Sequence, residues 1–293
     1  MKPIFFYAIP LLLLTLTSAV NLPQEEFTSL LDEKLSQWEI YISYKYYGPS
    51  DGSIPKDKQG RLQTPLGYNP SHNKTFSVIE ENGQQVLKVT GEYYGCVFTK
   101  KEYENYHLKL RVKWGERKWN PRLKEEKDSG ILYHSTGECG VDYWGSWMQG
   151  QEFQIIENSI GDYWSIAQSQ IDIASVFNDR DSIYSFDPIG TIRTFGHNSK
   201  DGNYCKAGIN GQKEDNEWNT LELICYKDQS LHIVNGKVAM ALKNPKQLIN
   251  GQLVSVTKGK IQLQSEAAEV YFKDIQIKQI QEIPSEFASY FRK

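Results

Sequence analysis

The chain has 293 residues, of which 39% are hydrophobic, and it carries a formal net charge of −3. This length suits one large domain or two small ones, because all-β domains of about 200–250 residues are common. The small net charge and the absence of a long basic block exclude a general electrostatic footprint for nucleic acid.

Residues 1–19 have the features of a secretory signal peptide. One Lys precedes an apolar run from about Ile4 to Leu16, and Thr17-Ser18-Ala19 places small residues at the cleavage site. The run is short for a membrane span and contains Pro10. We therefore expect cleavage near Ala19 and a secreted or periplasmic product without a membrane span.

The following segments are mostly predicted strands. A short polar helix is predicted over residues 23–38, and a Gly-, Pro- and Asp-rich loop over residues 48–71. Asn82-Gly83 and Asn235-Gly236 each separate two strand-like runs and predict β-hairpins. Further strands are predicted from YHLKLRVKW, GILYHS, QEFQIIE, WNTLELICYK, SLHIV, KVAMAL, GKIQLQSE and EVYFKDIQIKQI.

This order of elements indicates an all-β fold. No helical pattern alternates with the strands, so a sandwich of two antiparallel sheets is favoured over a parallel α/β sheet. No internal repeat or low-complexity linker interrupts the chain after residue 75. We predict that residues 20–71 form an N-terminal segment and loop that pack on one domain, residues 72–293.

The run GQEFQIIENSIGDYW, residues 150–164, carries an unusual set of polar side chains. On a strand, Glu152 and Gln154 share one face, while Phe153 and Ile155 share the other. Glu157 rejoins the first two only if one extra residue bulges out between them. A solvated strand face is the alternative, but we predict that the three polar residues line one concave cleft.

The spacing resembles the E-x-D-x-x-E strand of laminarinase- and lichenase-type β-glucanases. In those enzymes the first Glu is the nucleophile, the Asp supports it and the last Glu is the acid/base. Gln154 stands at the Asp position here. An amide cannot tune its neighbours' protonation as a carboxylate does, which disfavours the ordinary retaining hydrolysis of such enzymes.

A closer resemblance covers most of residues 75–281 and is carried by five blocks in order. These are GCVFTKKEYENYHLKLRVKWGERKWNPR, KDSGILYHSTG, EFQIIENSIGDYW, EWNTLELICYKDQSLHIVNGKVA and GKIQLQSEAAEVYFKDIQIKQI. Together they resemble the 3-keto-disaccharide hydrolase domain family. The resemblance implies a concanavalin A-like jelly-roll sandwich with a concave binding face, and an exported enzyme that acts on sugars oxidised at C3. Many members have an Arg where this chain has His134.

Such a substrate suits two carboxylates beside an amide. A ketone at C3 acidifies the C2 proton, so that a base can remove it, the C1 oxygen can leave, and water can add afterwards. Glu152 and Glu157 would supply base and acid, in an order that the sequence leaves open, and Gln154 would supply an amide donor. His134 would transfer a proton or stabilise the enolate, or it is a structural histidine.

Five further residues are candidates for substrate binding, each with a structural alternative. Asp128 contacts substrate or shapes a turn. Lys113 stabilises an enolate if its strand face forms the cleft, and is otherwise solvated. Trp144 and Trp147 stack on a sugar ring or cover the edge of the core. Asp162 binds a sugar hydroxyl or caps a turn.

The remaining expectations concern cysteines, cofactors and partners. Cys96, Cys139, Cys205 and Cys225 lack metal-type spacing, and one or two disulfides are possible, with three full pairings open. We expect no metal or cofactor, and an oligosaccharide or glycoside as the partner. The alternatives to a hydrolase or lyase of 3-keto-glycosides are a non-catalytic carbohydrate-binding module, since fold alone does not confer activity, and a conventional β-glucanase.

Overall fold

The computed structural model describes residues 26–50, 53–72, 74–214 and 216–291, and these residues form β-strands, connecting turns and one short helix. The predicted signal peptide, residues 1–19, lies outside this part of the chain. Among the residues that are described, no helix has both the length and the apolar character that crossing a membrane requires.

Twenty strands follow one another in chain order. They are β1 Thr28–Ser29, β2 Trp38–Ile42, β3 Gly67–Tyr68, β4 Phe76–Glu81, β5 Gln84–Val89, β6 Gly95–Thr99, β7 Tyr106–Lys118, β8 Asp128–Thr136, β9 Gln149–Ile156, β10 Ser159–Ile166, β11 Ser169–Asn178, β12 Ile183–Phe186, β13 Thr191–Gly196, β14 Tyr204–Cys205, β15 Asn219–Tyr226, β16 Gln229–Val234, β17 Lys237–Ile249, β18 Gln252–Ser255, β19 Lys260–Ser265 and β20 Ala268–Gln279. A 3-10 helix, Ser285–Phe291, follows them.

The strands form two antiparallel sheets that pack as a sandwich. The larger sheet has twelve strands, with the central order β12-β11-β17-β16-β15-β7-β20-β5-β4. The smaller sheet has eight strands, in the order β14-β10-β9-β8-β19-β6-β2-β3. The predicted all-β jelly-roll fold is therefore confirmed.

The core lies between the two sheets and is filled by alternate residues of each strand. Phe153 and Ile155 of β9 are fully buried in the same cluster as Leu108 and Leu110 of β7. Burying such a side chain contributes about 1.5–3 kcal/mol, so a one-residue slip that turned it to solvent would be costly. Packing thus turns the intervening residues of β9 to the outer face of the smaller sheet.

Two predicted hairpins are confirmed. Asn82 and Gly83 link β4 to β5 with φ of 54° and 75°, and Asn235 and Gly236 link β16 to β17 with φ of 49° and 77°. Positive φ at both central positions is the requirement of a type I′ turn, which Asn-Gly meets at low cost.

The helix predicted over residues 23–38 is wrong for the part that the structure describes. Residues 28–29 pair with β20, and Leu30 is buried in the core, so packing overrides the helical pattern. The Asp32 carboxylate then accepts the backbone N–H groups of Lys34 and Ser36, which closes a turn.

The loop predicted over residues 48–71 is largely observed. Between β2 and β3 the described residues form turns and one isolated bridge, between Lys56 and Leu62. The end of the predicted loop forms β3, which pairs with β2 at the edge of the smaller sheet. The division of the chain at residue 72 stays a prediction.

Candidate functional site

A cavity of about 770 Å³ opens on the outer face of the smaller sheet. Its floor is formed by β8, β9 and β10, and its walls by the segments that precede β8 and connect β8 to β9. Seven carboxyl side chains and two cationic side chains line it. The cavity is therefore rich in acidic groups. So many carboxyl groups close together must either pair with cations or hold protons.

The polar run of β9 lies on this floor. Glu152 and Gln154 face the cavity, with 3% and 6% of their surfaces exposed, and Glu157 lines it as well. Phe153 and Ile155 point into the core. The alternation that the sequence shows is thus the alternation of the folded strand.

The bulge expected between Gln154 and Glu157 is wrong. β9 pairs with β8 in unbroken register from residue 151 to residue 156. The register shift lies instead on β10, between Ile160 and Tyr163. Glu157 follows the last residue of β9, where the chain turns at Asn158 with φ of 71°, and it reaches the cavity from that turn.

Gly130 of β8 makes room for the Glu152 carboxyl group. It pairs with Gln154 across the two strands, and a Cβ at position 130 would overlap Oε1 of Glu152. The same Cβ would lie 2.5 Å from Oε1 of Gln264 on β19. The missing side chain therefore allows the Glu152 carboxyl group to lie over β8, close to Gln264.

Arg122 gathers acidic side chains at one end of the cavity. Its Nη2 lies 2.8 Å from Oδ2 of Asp128, and its Nη1 lies 3.6 Å from Oε1 of Glu266. Its Nε lies 3.6 Å from Oε2 of Glu125, which is more exposed. Burial disfavours the charged guanidinium, but attraction to Asp128 and Glu266 outweighs it and raises the pKa of Arg122.

The buried carboxyl groups of this cluster bind protons more readily than in water. Burial raises the pKa of Glu152 well above its usual range, and the nearby Glu266 and Asp128 raise it further. Burial also raises the pKa of Glu266 well above its usual range, against the attraction of Arg122. Burial raises the pKa of Asp128 to about 7, although Arg122 opposes the rise. Glu152 therefore holds its proton more firmly than a carboxyl group in water.

Glu157 is in the opposite state. Its Oε1 lies 2.9 Å from Nζ of Lys127, and its Oε2 accepts the backbone N–H of the same residue at 3.3 Å. Partial burial raises the pKa of Glu157, but the bonds to Lys127 outweigh burial and lower it. Glu157 is therefore an ionised carboxylate with both oxygens engaged.

Three cavity residues have buried polar atoms without hydrogen-bond partners among the described residues. These atoms are Nε of Arg122, Oδ1 of Asp128 and Oε1 of Gln154. The amide of Gln264, behind Gly130, lies beside the Glu152 carboxyl group and contributes to its pKa by a hydrogen bond. Buried polar atoms nearly always have partners, so these atoms are unusual features of the cavity lining.

The connection between β8 and β9 forms an aromatic wall that Asp142 organises. Oδ1 of Asp142 accepts the N–H groups of Ser146 and Trp147 at 2.7 and 2.6 Å, and Oδ2 accepts that of Trp144 at 2.8 Å. Burial nevertheless raises the pKa of this carboxyl group above its usual range. Tyr143 and Trp144 are presented at the rim with their rings 5.2 Å apart.

Two aromatic pairs flank the cavity. Tyr143, beside Trp144, is 69% exposed, and Trp164, whose ring lies 4.9 Å from that of Tyr204, is 39% exposed. Exposed aromatic faces of this kind suit the C–H faces of sugars. Trp147 also lines the cavity, but it is buried and its Nε1 donates to the carbonyl of Gly95, so it covers the edge of the core.

Asp162 lies on the cavity wall with its oxygens occupied. It accepts hydrogen bonds from Ser159 Oγ, from Tyr204 OH at 2.6 Å and from the N–H of Ala207 at 2.8 Å. Burial raises its pKa against these bonds. Asp162 therefore positions Tyr204 and the bulged part of β10.

Lys113 does not belong to the cavity. It lies on β7 in the larger sheet, whereas the cavity covers the smaller sheet. Its Nζ is 3.4 Å from Oε1 of Glu81 and 4.8 Å from the ring centroid of Trp218. The expectation that Lys113 contacts the substrate is corrected by the sheet to which its strand belongs.

His134 does not line the cavity either. Its φ is 49°, at a register shift between Tyr133 and Thr136, so the alternation of β8 ends before it. The ring is buried, and both ring nitrogens lack partners among the described residues. Burial lowers the pKa of His134 to about 3, so the ring stays neutral. Direct proton transfer from His134 to a cavity ligand is excluded by this position.

Several cavity residues were not predicted from the sequence. They are Arg122, Asp142, Tyr143, Trp164, Tyr204 and Glu266. One signal was available, because Gln262, Gln264 and Glu266 alternate with buried residues as Glu152 and Gln154 do. Arg122 and Asp142 lie in connections, where no strand periodicity marks them.

Metal-binding clusters and cysteine thiols were also considered as sources of chemistry. In the described part of the chain, no group of three or more His, Cys, Asp or Glu side chains is arranged to hold a metal ion. The four cysteines are buried free thiols, and the sulfur atoms of Cys96 and Cys139 are 3.9 Å apart.

The chain is similar to known proteins in sequence and in structure. A family model described as a 3-keto-alpha-glucoside-1,2-lyase-like domain matches residues 26–278. Two structures from Parabacteroides distasonis ATCC 8503, each named a "putative glycosyl hydrolase", share 17% and 19% identity with this chain. The match to the structure with 17% identity covers 87% of this chain and 94% of that structure's chain, with a TM-score of 0.47. The second covers 73% and 93%, with a TM-score of 0.44.

The carbohydrate-binding module CBM66 from Bacillus subtilis is also similar in structure. It shares 6% identity, covers 70% of this chain and 92% of its own, and has a TM-score of 0.39. No curated protein matches the sequence.

Proposed function

Because the chain belongs to the family of 3-keto-alpha-glucoside-1,2-lyase-like domains, and is thus a carbohydrate-active protein, we propose that it cleaves 3-keto-glycosides by elimination between C1 and C2. The substrate is a glycoside whose ring carries a ketone at C3. A carboxylate removes the C2 proton, and the glycosidic oxygen leaves C1 with a proton from a second carboxyl group.

The observation that carries this proposal is the buried Glu152 carboxyl group on the cavity floor. A general acid must hold its proton at the working pH and face the reacting atoms. Burial, with Glu266 and Asp128 nearby, raises the pKa of Glu152 well above its usual range, which meets the first condition. Its position on the outer face of β9 meets the second. We assign to Glu152 the proton that the leaving oxygen receives.

Gln154 supports the same chemistry. Removing the C2 proton moves negative charge onto the C3 oxygen, and a donor amide beside that oxygen stabilises the enolate without adding charge. Gln154 lies two residues from Glu152 on the same strand face. An ionised Asp at this position would repel the enolate, so the amide favours elimination over the glucanase reaction.

Water completes the reaction when the overall result is hydrolysis. It adds to C1 of the unsaturated ketone, gives a proton back to Glu152, and C2 recovers a proton from the base. Both carboxyl groups then return to their starting states. Release of the unsaturated sugar before hydration would make the protein a lyase.

The test compares a C3-oxidised disaccharide with its unoxidised parent. We expect cleavage of the oxidised compound alone, followed by chromatography of the released sugars. Binding of both compounds without cleavage would instead favour a carbohydrate-binding module, which the exposed Tyr143 and Trp164 would also suit. Cleavage of the parent at a comparable rate would favour a conventional glycosidase.

The role of Glu152 is tested by the leaving group. Glu152→Gln should reduce cleavage of a 3-keto-disaccharide by about 10²–10⁴-fold, the usual contribution of a general acid. The same variant should lose far less activity on the 4-nitrophenyl 3-keto-glycoside, because nitrophenolate leaves without a proton. Equal losses on both substrates would contradict the assignment.

A further inference from the structure

The geometry points to Asp128 as the base that removes the C2 proton. This inference rests on the proposed function and assigns the step that Glu152, as the acid, does not perform. Asp128 is the first residue of β8 and lines the cavity with 3% of its surface exposed. It pairs with Ile156 at the end of β9 and bridges to Glu266, so neighbours on both sides hold its backbone.

The two oxygens of Asp128 are in different environments. Oδ2 lies 2.8 Å from Nη2 of Arg122, which fixes the orientation of the carboxyl group. The backbone N–H of Ser129 also stabilises the charged carboxylate, and Oδ1, which is itself buried, accepts no other hydrogen bond from the described residues. A base needs an oriented carboxylate with one free oxygen, and this is the state of Asp128.

Glu157 is the competing carboxylate, and its contacts make it a weaker base. Both of its oxygens are engaged by Lys127, through the side chain at 2.9 Å and the backbone N–H at 3.3 Å. The same contacts lower its pKa, whereas burial raises that of Asp128 to about 7. Basicity close to the working pH favours proton abstraction, so Asp128 is the better match.

Other carboxyl groups of the cavity are committed elsewhere. Asp142 accepts three backbone N–H groups of its own loop, and Asp162 accepts bonds from Ser159, Tyr204 and Ala207. Burial, with Asp128 nearby, raises the pKa of Glu266 well above its usual range. Among the buried carboxyl groups described at this site, Asp128 alone combines partial ionisation at neutral pH with a free oxygen.

In the proposed step, Oδ1 of Asp128 forms a bond to the C2 hydrogen. The electron pair of the C2–H bond then forms a C2–C3 double bond, and the π pair of the C3 carbonyl moves onto its oxygen. When the enolate returns to a ketone, the pair forms the C1–C2 double bond and the C1–O bond breaks. The leaving oxygen takes the proton of Glu152, so Asp128 ends protonated and Glu152 ionised. Addition of water to C1 and of the Asp128 proton to C2 restores both.

Proton exchange at C2 isolates this step. A 3-keto-1,5-anhydrohexitol has the C2 proton and the C3 ketone, but no glycosidic oxygen that can leave. In D₂O the wild-type protein should exchange its C2 proton, observed by NMR. Asp128→Asn keeps the shape and loses the basicity, and should slow exchange by about 10²–10⁴-fold.

Two variants make the comparison specific. Glu80→Gln removes an exposed carboxylate of β4 in the larger sheet, outside the cavity, and should leave exchange close to the wild-type rate. Glu157→Gln tests the competing base. Retained exchange in Asp128→Asn together with its loss in Glu157→Gln would overturn the assignment.

The wild-type pH profile provides a test without a variant, in case Asp128→Asn fails to fold. The charged or titratable groups that face Asp128 from its surroundings are Tyr94, Arg122, Glu125, Glu152, Asp162 and Glu266. At low substrate concentration the exchange rate should rise with pH with a midpoint near neutrality, as Asp128 ionises. A midpoint below pH 5 would indicate Glu157 and overturn the inference.

Failure of this assignment can be distinguished from failure of the proposed function. If the wild-type protein catalyses neither C2 exchange nor cleavage of any 3-keto-glycoside, the proposed function is wrong, and so is the assignment of Asp128 as the base. If the wild-type protein does both, but exchange is unchanged in folded Asp128→Asn, only the assignment of Asp128 fails.

Discussion

The carboxyl group of Glu152 lies in the space that a side chain at Gly130 would fill. The two residues belong to neighbouring strands, β9 and β8, and Gly130 pairs directly with Gln154. Glycine at this position leaves the space that the carboxyl group fills, and its backbone is not in the left-handed region. The position of the proposed acid depends on this missing side chain.

Gly130→Ala should displace the Glu152 carboxyl group and reduce activity. The added Cβ would overlap Oε1 of Glu152 and approach Gln264, and crowding of this kind costs about 1–3 kcal/mol of stability. We expect at least about a tenfold loss in kcat/KM in a variant that still folds. Gly48→Ala is the control, because a Cβ there meets no atom within 4 Å. Equal effects of the two substitutions would contradict the coupling.

Trp164→Ala should weaken substrate binding more than it slows the reaction. Its ring packs at 4.9 Å from Tyr204 and is 39% exposed beside the cavity. Loss of one aromatic contact worth about 0.5–1.5 kcal/mol should raise KM about 2- to 12-fold with a smaller change in kcat. Trp218→Ala, which removes a ring that lies before β15 and packs against Lys113 of the larger sheet, should leave KM unchanged. A fall in kcat alone would argue against a stacking role.

Asp142→Ala should loosen the aromatic wall. The carboxylate accepts three backbone N–H groups between residues 144 and 147, and each unsatisfied donor costs about 1–3 kcal/mol if it stays buried. We expect a lower melting temperature and a higher KM, both measured on the purified protein. Asp142→Asn keeps one acceptor oxygen and should lie between Asp142→Ala and the wild type. A normal melting temperature in Asp142→Ala would show that water replaces these bonds.

Stability should depend on pH through His232. The ring is buried, its Nε2 lies 3.1 Å from Tyr133 OH, and burial lowers its pKa to about 3 from 6.5. In the unfolded chain His232 therefore binds a proton below about pH 6.5, whereas in the folded chain it binds one only below about pH 3. As the pH falls through this window, protonation of His232 in the unfolded chain should lower the free energy of unfolding by about 1.4 kcal/mol per pH unit.

The comparison of wild type with His232→Gln isolates this contribution. Glu152 and Glu266 act in the opposite direction, because their raised pKa values favour the folded state at low pH, but they are present in both proteins. The stability advantage of the wild type over His232→Gln should shrink as pH falls from 7 to 4.5. Denaturant unfolding at several pH values measures it, and a constant difference would mean that His232 titrates normally.

Export of the protein remains a prediction from residues 1–19. We expect the mature chain to begin near Val20, because small residues at Thr17 and Ala19 follow a short apolar run. N-terminal sequencing of the protein recovered outside the cytoplasm is the measurement. Recovery of a chain that begins at Met1 would contradict the prediction.

Local periodicity was sufficient to predict much of the fold from the sequence alone. Alternation along residues 152–155 indicated which side chains face the core, and Asn-Gly pairs at 82–83 and 235–236 marked two hairpins. These features depend on side-chain direction along one strand or on the φ values of two residues. They are local properties, so the sequence of each segment determines them.

The site required the tertiary structure, because its groups come from segments far apart in the chain. Arg122 and Asp142 lie in connections, and Glu266 follows a strand more than a hundred residues after Glu152. Which sheet a strand joins is a long-range property, so the sequence left open whether Lys113 faces the cleft. The sequence by itself determined the strands and the outward face of Glu152 and Gln154. The tertiary structure decided which charges surround them, and charges and burial control the protonation of buried carboxyl groups.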